Sequence, residues 1–105
     1  MSDLQNKDET ILEIYQFIVE NFGQNIFTLP NFWDGDNCAI GLLRDCRLIY
    51  ISTWDFRNEK NSNMRYYTEF EIVDAVTFET IRAYGIFENI TRDDLIAKIK
   101  AFLEL

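Results

Sequence analysis

The residues best placed to do chemistry are Glu69 and Glu71, two carboxylates one residue apart, with Tyr67 before them and Arg82 and Tyr84 further on. On a strand, alternate side chains share a face. Tyr67, Glu69 and Glu71 would therefore stand in one row. A pair of carboxylates can act as general acid and general base, but only in a concave site that raises one pKa. On an open strand face, ion pairing of Glu69 with Arg82 is the simpler account. Asp34, Gly35 and Asp36 could begin an oxygen-ligand metal site, yet the further donors and the closing glutamate of a calcium loop do not follow. Turn chemistry, with aspartate side chains bonded to nearby amides, explains that triplet.

The chain has no histidine and two cysteines, Cys38 and Cys46. The usual general base near neutral pH is thus missing, and no cluster of bases stands ready to lower a thiol pKa. No phosphate-cradling glycine loop, nucleophile elbow or metal-ligand spacing occurs. The sequence therefore leans away from an enzyme, and it implies no cofactor and no metal.

Charge points to the kind of partner. The formal net charge is −8, and it is uneven: residues 1–36 carry one base against seven acids, 37–68 five against three, and 69–105 four against eight. Nucleic acid would be repelled. A basic protein would not. No apolar run reaches the roughly 20 residues of a membrane span. The first residues lack a basic start followed by an apolar stretch, so a cytoplasmic protein with reduced cysteines is expected.

Elements must hold these residues in place. With 48% hydrophobic residues over 105 positions, the expectation is one domain with a single core, preceded by a polar lead over residues 1–9 whose order the sequence leaves open. Ile11, Ile14, Tyr15, Ile18 and Phe22 recur at helical spacing. Thr10 or Asp8 would cap that helix, and Gly23 would end it. Leu95, Ile96, Ile99, Phe102 and Leu103 form a second stripe behind a Thr91 cap. Ile26 and Phe27 have the look of a short strand before Pro30, and the rest of Gln24 to Asn37 reads as a loop in which Phe32 and Trp33 are anchors.

Between the helices the pattern is β. The run Cys46 to Trp54 is rich in β-branched and aromatic residues and is apolar on both faces. Pairing Leu43 with Cys46, Phe56 with Met64, and Val73 with Phe78 yields three hairpins, although Asp74 could also cap a short helix over Val73 to Tyr84. The predicted fold is α+β: a four-stranded antiparallel meander in the order α-β-β-β-β-α, both helices on one face. In this register the covered face holds Ala39, Gly41, Leu43, Leu48, Tyr50, Trp54, Tyr66 and Phe70. The reverse face would carry Ile40, Ile49 and Ile51 beside Tyr67, Glu69, Glu71, Arg82 and Tyr84.

Apolar surface bordered by charge is a typical interaction site. The expected function is a non-enzymatic module that uses that open face for homodimerisation or for a basic protein partner, as a neutralising protein does against a basic toxin enzyme. An Asp at Ile49 or Ile51 would then split a dimer. The loop Gln24 to Asn37 folding over the greasy half is the competing expectation. The alternative function is small-molecule binding or catalysis in an aromatic pocket between sheet and helices near Tyr50, Trp54 and Tyr66.

Overall fold

In a computed structural model that describes residues 6–30, 33, 35–59 and 63–103, the chain runs α1 (Glu9–Phe22), β1 (Ala39–Arg44), β2 (Arg47–Ser52), β3 (Tyr66–Val73), β4 (Thr80–Ile90) and α2 (Arg92–Leu103). The four strands form one antiparallel sheet in the order β1-β2-β3-β4. This is the α+β meander expected from the sequence.

Asp8, not Thr10, is the cap of α1: its carboxylate accepts from the Thr10 amide at 3.1 Å and from the Thr10 hydroxyl at 2.6 Å. Those bonds hold the Asp8 carboxyl below the usual carboxylate range. Gly23, at φ 97°, closes the helix in a conformation that favours glycine. Thr91 caps α2 through the Asp94 amide. Arg47 secures the other end of α2 by donating to the Phe102 carbonyl, its guanidinium 5.6 Å from the Phe102 ring centroid.

The two apolar stripes meet on one side of the sheet. Ile11, Ile14 and Ile18 of α1 and Leu95, Ile99 and Phe102 of α2 pack with Ile40, Leu42, Ile49, Ile51, Tyr66 and Phe70 in a single cluster. Each such side chain contributes about 1.5–3 kcal/mol over an exposed position. Thr68, buried among them, donates to the Tyr50 carbonyl at 2.8 Å, so its hydroxyl is satisfied.

The strand register departs from expectation at all three hairpins. Asp45 takes φ 55°, and the first turn therefore sits at Asp45 and Cys46, with Arg44 opposite Arg47. That slip of two residues preserves the faces. At the second hairpin, β2 ends at Ser52 and Trp54–Phe56 coils into a 3-10 turn. Ile49 now lies opposite Phe70 and Tyr50 opposite Glu69, a slip of one residue. One residue exchanges inside for outside. The covered face of β1 and β2 is consequently Ile40, Leu42, Ile49 and Ile51; Gly41, Leu48 and Tyr50 belong to the other side.

The third hairpin is a strand pair, not a helix. Asp74 organises its turn by accepting from the amides of Val76 and Thr77 at 2.8 and 3.0 Å, which lowers its pKa. Phe78 at φ 61° completes the reversal. β4 spans 11 residues against 8 in β3, and the register shifts at three places to absorb the excess. Such bulges twist an edge strand and blunt its pairing with other chains.

Candidate functional site

The site lies on the sheet face turned away from the helices, and the loop between α1 and β1 positions part of it. No strand forms at Ile26: Gln24–Ile26 is a 3-10 turn, and Thr28 alone bridges Leu43 on the outer edge of β1, with N–H···O distances of 2.8 and 2.9 Å. Ile26, Phe27 and Leu29 pack against the helix-side core. Trp33 lies across the edge of β1, on the opposite face.

Lys7 fixes that crossing. It is only 7% exposed, and its ammonium donates to the carbonyls of Trp33 at 2.6 Å and Asp36 at 2.8 Å. The Asp8 amide bonds the Asn37 carbonyl at 2.8 Å, and the Asp36 carboxylate accepts from the Cys38 amide at 3.0 Å. Asp36 thus performs the turn chemistry expected of it. Asp34 and Phe32 lie outside the described residues, as do positions 1–5 of the polar lead.

Trp33 lies over Gly41, where a Cβ would fall inside its ring. Glycine is needed here for close approach. The Trp33 ring is 5.4 Å from Tyr50, and Tyr50 meets Tyr67 edge-on at 6.1 Å. Next to this aromatic chain comes a row of Cα partners across all four strands: Gly41, Tyr50, Glu69 and Ile86. Ile86 is 57% exposed. Glu71 pairs with Leu48 and Ala83 and accepts from the Thr80 hydroxyl at 2.7 Å. Glu88 stands close enough to Tyr67 to act on its titration.

The Tyr67 hydroxyl donates to Glu69 Oε2. Because this bond requires the phenol proton, it pushes the Tyr67 pKa up to about 12, with burial and the charges of Glu69 and Glu88 adding to the rise. Tyr50 is raised as well, chiefly by burial. Both phenols remain neutral donors at physiological pH. The face therefore offers an aromatic strip flanked by Glu69, Glu71 and Glu88, with Ile86 beside it.

Several expected placements are overturned. Ile40, Ile49 and Ile51 are buried beneath the helices, so they do not share a surface with Tyr67, Glu69 and Glu71. An aspartate at Ile49 or Ile51 would put a charge into the core rather than split a dimer. Arg82 is opposite Ile72, not Glu69, and the described residues hold no Glu69–Arg82 ion pair. Its guanidinium lies 5.1 Å from the Tyr84 ring, which meets Phe102 of α2 edge-on; both side chains belong to the helix-side margin of β4.

The three residues named for an aromatic pocket are not brought together. Tyr50 is on the acidic face, Tyr66 is in the core, and Trp54 is 58% exposed beneath the Arg57 guanidinium. The alternation pattern alone does not point to Glu88 and Ile86, because only the bulges of β4 bring them beside Tyr67 and Glu69.

Cys38 is buried, and burial pushes its thiol pKa up; Cys46 is exposed in the first turn, and both are free. Among the described residues no group of three or more potential metal ligands converges, and no helix is long and apolar enough to cross a membrane. Comparisons with protein-family models, with curated proteins and with solved structures find no match.

Proposed function

We propose that the protein is a non-enzymatic binding module that seats a basic protein partner on the sheet face opposite its helices. The observation that carries this reading is the combination of Glu69, Glu71 and Glu88 with the Trp33, Tyr50 and Tyr67 strip and the exposed Ile86. Aromatic residues supply contact area at low entropic cost, while the carboxylates select partner charge. A second copy is a poor occupant, since each chain is formally −8 and would bring the same three glutamates to the contact. Like charges opposed across an interface cost affinity. Neutralisation of a basic enzyme is one activity that such a face would suit.

The test is selection of peptides from a random library against the full chain, with the Glu69→Lys, Glu71→Lys double variant run in parallel. The expected outcome is enrichment of lysine- and arginine-rich sequences. Their binding should weaken about tenfold or more in the double variant, the size of losing a charged hydrogen bond, and should fall as salt is raised. Absence of enrichment, or equal binding by the charge-reversed chain, contradicts the proposal. So does a concentration-dependent dimer in sedimentation that the same double variant dissociates, because the surface would then belong to a second copy.

A further inference from the structure

A separate cleft of about 740 Å³ opens on the other side of the sheet, between the first turns of α1 and α2 and the segment joining β2 to β3. That volume is in the range of small-molecule sites. Tyr66 lines it. Tyr66 is 4% exposed, and its hydroxyl makes no hydrogen bond among the described residues. A buried phenol ordinarily finds one. Since no fully buried polar side-chain atom among the described residues is left unpaired, this hydroxyl retains some solvent contact at a residue that lines the cleft. A ligand in the cleft could supply the partner that the protein does not.

Both signs of charge surround it. Arg57, Arg65 and Arg92 line the cleft. Arg57 is held 4.0 Å from the Trp54 ring and bonded to the Trp54 carbonyl, and Arg92 is held 4.2 Å from the Phe17 ring. These contacts orient two guanidinium forks while using only one of Arg57's five donors and none of Arg92's for the ring contact. Five carboxylates oppose them: Asp8, Glu9, Glu13, Glu59 and Asp93. Asp8 is occupied with capping α1, and Asp93 sits 3.8 Å from Arg92 Nε. Glu9, Glu13 and Glu59 remain.

This balance decides the class of ligand. Among the described lining residues, three guanidinium groups against five carboxylates leave a net of two negative, in a chain of −8, which disfavours a polyanion. A simple cation would meet the arginines and the positive ends of two helices. A molecule carrying both charges satisfies each set. We propose that the cleft binds a small zwitterion of the amino acid or short-peptide type, its oxyanion group seated on the Tyr66 hydroxyl with Arg57 and Arg92, and its protonated amine directed to Glu9, Glu13 or Glu59.

The test is an NMR titration of the full chain with glycylglycine, N-acetylglycylglycine, which lacks the amine charge, and glycylglycinamide, which lacks the carboxylate. Glycylglycine should move the Arg92 and Asp93 amides saturably. Each blocked form should bind about tenfold more weakly, as expected for one lost charged hydrogen bond, and Tyr66→Phe should weaken glycylglycine about two- to tenfold. Arg92 is more than half exposed, so Arg92→Gln supplies a variant that keeps its fold; it should weaken the dipeptide and leave the amide form unchanged. The inference is overturned if glycylglycine gives no saturable shift, if either blocked form binds as well, or if both variants bind like the parent.

Discussion

At the scale of single residues, the Tyr67–Glu69 hydrogen bond ties the acidic face to a measurable titration. A phenol whose pKa rises on folding holds its proton more tightly in the folded state. Its contribution to stability is complete below the unfolded value near 10 and is lost as pH climbs toward about 12. Spectroscopic titration of tyrosinate should therefore show a group ionising toward about 12, and Glu69→Gln should bring that group back toward the ordinary range. An unchanged titration in the variant would show that the bond does not govern Tyr67. Asp8 and Asp74 have the opposite sign: the folded pKa is lowered by the Thr10 hydroxyl and amide at Asp8 and by the Thr77 and Val76 amides at Asp74, so their contributions are present above the usual carboxylate range and fade as pH falls through the folded values.

At the scale of elements, the loop before β1 works as a strap whose seat is Gly41. Gly41→Val would push its side chain into the Trp33 ring, and forced overpacking of this kind costs about 1–3 kcal/mol. In a Trp54→Phe background the fluorescence of Trp33 should shift to that of a solvated indole, with a matching loss in denaturant midpoint; an unshifted spectrum would contradict the seating. Both helices were legible in the sequence, because their apolar stripes and caps are local signals. The meander was legible too. Its register was not: β2 is apolar on both sides, so pairing Tyr50 with Phe70 looked as sound as the observed pairing of Ile49 with Phe70. What decides is burial of four branched side chains, Ile40, Leu42, Ile49 and Ile51, under two helices at once, a sum that no hairpin taken alone contains. The three bulges of β4 carry no turn residue to announce them except Gly85, so Ile86 and Glu88 could not be placed beside Tyr67 and Glu69.

At the scale of the whole molecule, the sheet separates two chemistries. Tyr66 and Tyr67 are neighbours in sequence, yet one ends in the cleft at the helix starts and the other on the acidic face. Each surface can thus be altered without touching the other, and an acidic chain of this size gains association rate toward a basic partner from its long-range field. The most direct test of this arrangement is the set of cross-strand nuclear Overhauser contacts between β2 and β3 in solution. Contacts that place Ile49 opposite Phe70 and Tyr50 opposite Glu69 are predicted, with Ile49 touching helix side chains and Tyr50 touching Trp33. Contacts that place Tyr50 opposite Phe70 would invert the faces of β1 and β2 and contradict the account.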